Sequence, residues 1–204
     1  MSGILTNFRS TIIVSFVLAL VMVFGFGHSP SGFHGAYFQA VFRWLHVLFG
    51  ILWIGLLYYF NFVQIRVMPT IPAELKPAVT KYIAPEALFW FRWAALATWL
   101  MGMILAFSRG YLMEAITFGA WHGYERGVDM GFTFIGMGMW LATIMFINVW
   151  GVIWPNQKRA LGLVPADDET KAKAGKIAML FSRINTLLSI PMLVTMTMYQ
   201  TLFG

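Results

Sequence analysis

At 204 residues, 59% hydrophobic and 11% charged, with a mean hydropathy of +0.73, the chain is far more apolar than a soluble domain, where about a quarter of residues are charged. It reads as an integral membrane protein. The absence of cysteine excludes disulfides, thiolate metal sites, iron–sulfur clusters and covalently attached haem c within these residues, leaving His, Met, carboxylate or tyrosinate for any metal or haem. The net charge of +6 is spread over membrane-flanking segments without a dense basic run, so it signals topology and no nucleic-acid partner.

In chain order, a single arginine, Arg9, precedes an apolar run that predicts a first span over about residues 10–27. The run is long for a signal peptide, and Gly25-Phe26-Gly27 is a poor cleavage site, which favours a retained span. A Gly/Ser/Pro-rich loop with His28 and His34 follows. The second span, about 36–65, carries Gln39, Arg43, His46, Gly50, Trp53, Leu57, Asn61 and Gln64 at steps of three and four, so one helical face holds nearly every polar group. Such a stripe must face protein, water or a cofactor, because a charge at mid-depth in lipid costs roughly 3 kcal/mol.

Pro69, Pro72, Pro77 and Pro85 then predict a surface connection with a short interfacial helix. The third span, about 87–107, has Arg92 one turn in, where it can snorkel or pair with a neighbour. Residues 108–129, mixing polar, aromatic and glycine residues, suggest a structured re-entrant or interfacial loop. The fourth span, about 129–154, has Gly131, Gly136 and Gly138 for close helix contact and Trp154-Pro155 as its end signal. Asp167, Asp168 and Glu169 mark the start of a short helix, and a fifth span, about 177–202, carries Arg183, Asn185, Ser189 and Pro191.

The expectation is therefore all-α: one membrane domain over 1–204, a bundle of five transmembrane helices. Arg9, Arg66, Lys76, Lys81, Lys158, Arg159, Lys171, Lys173 and Lys176 fall on one side, Arg109 and Arg126 on the other. The positive-inside rule makes the N-terminus cytoplasmic and the C-terminus outside.

His46 is the one histidine inside a span. It reads either as an axial ligand to a b-type haem, with Gly50 leaving room for the ring and Arg43 meeting a propionate, or as a buried histidine bonded to a neighbouring helix. His28, His34, His122 and Asp129, with Glu114 and Glu125, offer a weaker outer-face metal site; their spacing is irregular, and solvated loop residues are the plainer account. Met137, Met139 and Met145 read as core filler, not as a copper site. Asn61, Gln64, Arg92, Asn148, Arg183 and Asn185 form a cytoplasmic-side cluster that reads as interhelical glue.

The segments HVLFGILWIGLLYYFNFVQ, LFWFRWAALATWLMG, MFINVWGVIWPNQKRALG and FSRINTLLSIPML resemble the urate oxidase N-terminal domain family, the membrane portion of bacterial urate hydroxylases that carry a C-terminal cytochrome c domain. The resemblance runs from about 42 to 193. It implies a helical domain of a bacterial inner membrane, electron transfer to a periplasmic c-type cytochrome or other membrane subunits, and a bound haem b. The family's last helix continues to an Asn-His-Tyr segment. Here the matching place reads Met196-Thr197-Met198-Tyr199-Gln200, which leaves Met196 or Met198 to oppose His46, with Arg43 and Trp53 lining the pocket. These 204 residues hold no Cys-x-x-Cys-His to attach haem c. His46, Trp53, Gly55 and Tyr58 also resemble one helix of the membrane protoporphyrinogen oxidases, which again implies porphyrin handling. The functional expectation is a membrane redox or electron-transfer accessory subunit; the alternative is a cofactor-free structural subunit of a larger membrane complex, and a stand-alone urate enzyme comes third.

Overall fold

A computed structural model describes residues 2–25, 34–121 and 129–203, and all regular structure among them is helical. A short α1 (Ser2–Leu5) leads into α2 (Phe8–Gly25). The other long helices are α3 (Gly35–Thr70), α4 (Lys76–Ser108), α6 (Met130–Ala160) and α7 (Asp168–Phe203), with a short α5 (Leu112–Ile116) between α4 and α6. Five of these, α2, α3, α4, α6 and α7, are long and apolar enough to cross a membrane, in agreement with the five spans read from the sequence.

Four of the long helices run past the ends that sequence signals assign them, α3 continuing to Thr70. α4 begins before Pro85 and α6 continues beyond Trp154-Pro155 to Ala160. In both cases a π-helical turn, Val79–Ile83 or Asn148–Ile153, lies just ahead of the proline. A proline ring ordinarily clashes with the carbonyl four residues back and leaves it without a donor; the wider turn shifts that carbonyl's bonding by one residue and relieves both problems. The prolines therefore do not break these helices, and the connection after Arg66 shrinks to residues 71–75. The short helix expected at Asp168 is likewise the first turn of α7, one continuous 36-residue helix.

True ends have identifiable caps. Asp129 Oδ1 accepts from the backbone N–H of Gly131 at 2.8 Å and Phe132 at 3.3 Å, starting α6. Asp167 does the same for α7 through the N–H of Thr170 at 2.7 Å. After Ala160, Gly162 takes φ +72° and its N–H donates to the Arg159 carbonyl, the left-handed turn that closes a helix.

α3 packs along α4 and α6 along α7, and the two pairs meet in a four-helix bundle. Its apolar centre holds Trp53, Leu57 and Phe60 of α3, Phe91 and Ala95 of α4, Met145 and Val149 of α6, and Met192 of α7. Close approach of α6 to its neighbours depends on glycine: a Cβ at Gly136 would strike the Ala115 carbonyl oxygen after α5's last full turn, and one at Gly138 would strike Thr195 Oγ1 of α7. α2 stands apart, with no buried residue; one tie to the bundle is the Tyr37 hydroxyl, which donates to the Val23 carbonyl at 3.1 Å.

Candidate functional site

The polar stripe of α3 does face the inside of the bundle. Its first half borders a cavity of about 710 Å³ between α3, α4, α6 and α7. Arg43, His46, Gly50 and Trp53 line it together, facing Thr98 and Gly102 of α4, Met139 of α6 and Met196 of α7. Arg109, Tyr111, Tyr199 and Gln200 line it as well, and among the described residues no acidic one does.

His46 is held from α4. Its Nδ1 lies 2.8 Å from the Thr98 carbonyl oxygen. Since a carbonyl only accepts, Nδ1 carries the proton, and in the neutral imidazole Nε2 then keeps its lone pair. The ring packs against the bare backbone of Gly102, where a Cβ would come within 2.9 Å of Nδ1. An imidazole fixed in this way, its distal nitrogen unprotonated, is the usual state of a metal-ligating histidine, in which a backbone carbonyl sets the tautomer.

The polar residues of the cavity are arranged to receive an anionic group. Arg43 Nη1 donates to Gln200 Oε1 at 2.9 Å, tying α3 to α7, and Arg109 is a second guanidinium on the same wall. Burial pushes the Tyr111 phenol above its ordinary value, against the lowering effect of Arg109, so it stays a neutral donor near neutral pH. Trp53 is 1% exposed and its Nε1 has no acceptor among the described residues. A ligand reaching it must accept that N–H with an oxygen or a π face.

The other sequence-chosen residues divide. Met196 lines the cavity and Met198 is exposed on α7. His34 is exposed, and Asp129 is occupied as the cap of α6; His28, His122 and Glu125 lie outside the described residues. Among the described residues no three His, Asp or Glu side chains gather to hold a metal. The second polar cluster read from the sequence separates too. Asn148 donates to Asn185 and Asn61 to Ser182, both at 2.8 Å. Arg92 instead lies over the Trp154 ring at 3.9 Å, a cation–π contact, and Arg183 is exposed. Sequence reasoning missed Thr98, Gly102, Arg109 and Tyr111; Thr98 and Gly102 lie one turn apart on α4, a face without the charge contrast that marked α3, and Arg109 and Tyr111 follow its last residue, Ser108.

Residues 112–203 match the family model described as urate oxidase N-terminal. That segment is similar to the urate oxidase N-terminal family, over somewhat less than half of the chain. It comprises α5, α6 and α7, so the family segment supplies Met139, Met196, Tyr199 and Gln200 to the cavity, while His46, Arg43 and Trp53 come from α3, ahead of it. No curated protein and no solved structure matches the chain.

Proposed function

We propose that this chain is a redox-associated membrane subunit of the urate oxidase N-terminal type, and that its cavity holds a b-type haem on His46. The observation that carries the reading is the fixed imidazole of His46, with Nδ1 bound to the Thr98 carbonyl and Nε2 free beside a large, mostly apolar cavity. The remaining donors fit the group. Arg43 and Arg109 suit propionate carboxylates, Gly50 and Gly102 keep the walls low, and the Met196 thioether of α7 would offer a second donor to the iron. When bound, haem supplies reversible one-electron chemistry; the protein's part is to fix the ring and exclude water from it.

In this reading α2, α3, α4, α6 and α7 cross a bacterial inner membrane, the basic connections lie on the cytoplasmic side, and the cavity faces a periplasmic c-type cytochrome or another membrane subunit. The test is a dithionite-reduced minus oxidised optical spectrum of the purified chain. A b-type α band that His46→Ala abolishes supports the proposal; no such band after expression with ample haem sinks it.

One observation favours the second reading, a cofactor-free structural subunit. α2 buries none of its residues against the rest of the chain, as a helix that packs on a partner subunit would. Stoichiometric copurification with a membrane complex, without any haem band, would decide for it.

A further inference from the structure

The second half of the α3 stripe borders a different space. A cavity of about 250 Å³ lies among the same four helices near the opposite end of the bundle, lined by Gln64 and Met68 of α3, Gln157 of α6, and Met179 and Ser182 of α7. Two buried side-chain oxygens in this part of α3 have no hydrogen-bond partner among the described residues. Gln64, whose Oε1 is one of them, lines this cavity, and Asn61, whose Oδ1 is the other, sits one turn back, where its Nδ2 donates to Ser182 Oγ at 2.8 Å. Between this cavity and the first, Leu57, Met145 and Val149 close the bundle with 0–1% exposure.

Unpartnered acceptors in the middle of an apolar bundle cost roughly 1–3 kcal/mol each, so they call for an occupant that donates hydrogen bonds. A bare cation does not suit: stripping its water is far more costly than two neutral oxygens can offset, and no carboxylate lines the space. An anion is worse, because both orphans are acceptors. A neutral donor remains, and the volume holds several waters. We propose that the second cavity is a water-filled half-channel that carries solvent, and with it protons, from the Gln157 end of the bundle as far as the Asn61–Ser182 hydrogen bond. The π-helical turns Tyr59–Gln64 and Asn148–Ile153 flank this space, and turns of that kind widen a helix where a site must be made.

The experiment is radiolytic footprinting of the full-length chain in nanodiscs, with hydroxyl radicals generated from bound water and side-chain oxidation read by mass spectrometry. Met179 borders the cavity and Met145, fully buried in the plug, is the dry reference. Met179 should oxidise several-fold faster than Met145, and Gln64→Leu should cut that rate several-fold by removing the acceptor and filling the space. Gln157→Leu, at the same cavity, gives a second variant if the first does not fold. Met179 as protected as Met145, or a Met179 rate that a folded Gln64→Leu or Gln157→Leu variant leaves unchanged, overturns the proposal. A dry cavity has its own signature, since Gln64→Leu would then raise the melting temperature by removing an unpaired buried acceptor. None of these readouts depends on haem, so this inference and the haem reading fail separately.

Discussion

The imidazole of His46 occupies the space that a side chain at Gly102 would need. A Cβ at Gly102 would sit 2.9 Å from both Cε1 and Nδ1 of the ring, on the edge that bonds to Thr98. Gly102→Ala should therefore push the ring off the Thr98 carbonyl, at a cost of about 1–3 kcal/mol for overpacking. It should also lower haem retention without touching the ligand itself. Thermal unfolding and the reduced-minus-oxidised spectrum, measured on the same preparation, check both halves.

Gly136 and Gly138 should differ from Gly55. Alanine at Gly136 meets a backbone carbonyl, that of Ala115, which cannot rotate away; at Gly138 it meets Thr195 Oγ1, already held by the Met192 carbonyl. We expect each substitution to destabilise by about 1–3 kcal/mol or more, with Gly136→Ala the worse. Gly55 has nothing within 4 Å of a Cβ, so Gly55→Ala should be neutral or stabilising by up to about 1 kcal/mol. Melting temperatures of the three variants rank them.

The pair Asn148 and Asn185 should behave as a unit. Asn185 is fully buried, accepts from Asn148 at 2.8 Å and donates to the Met145 carbonyl at 3.0 Å. Asn185→Leu strands the Asn148 amide and removes one of the bonds to the Met145 carbonyl, which keeps the Asn148 backbone N–H, and should cost about 1–3 kcal/mol. Adding Asn148→Leu should recover part of that loss, because the stranded amide is gone. A double-mutant cycle with a coupling below about 0.5 kcal/mol would contradict this.

At the start of α7, acid should loosen one cap. Hydrogen bonds from the N–H and hydroxyl of Thr170 hold the Asp167 carboxyl below its ordinary value. A depressed folded-state pKa means the stabilisation is complete above the ordinary carboxylate range and is lost as pH falls through the folded value. Hydrogen-exchange protection of the Thr170 amide should decline on that acid side. In Asp167→Ala it should already be low at neutral pH.

Much of this was legible in the residues. Five long apolar stretches could only be helices that bury their backbone polar groups internally, and the alternation of His46, Gly50, Trp53, Asn61 and Gln64 at helical spacing fixed which face of α3 turns inward. What failed was local punctuation. Pro85 and Trp154-Pro155 looked like helix ends because proline removes a donor, but a π turn ahead of each absorbs the fault, and no propensity announces such a turn.

The sequence by itself determined the helical class, the spans and the inward stripe, since these follow from hydrophobicity and period along one chain segment. Only the tertiary structure decided what the stripe faces, because that depends on residues distant in sequence. Thr98 and Gly102 of α4 fix the tautomer and seat of His46. α7 places Met196 in the cavity and Met198 outside it. Packing of the four helices divides the stripe between two cavities, one beside His46 and one beside Gln64, whose side-chain oxygen has no donor among the described residues.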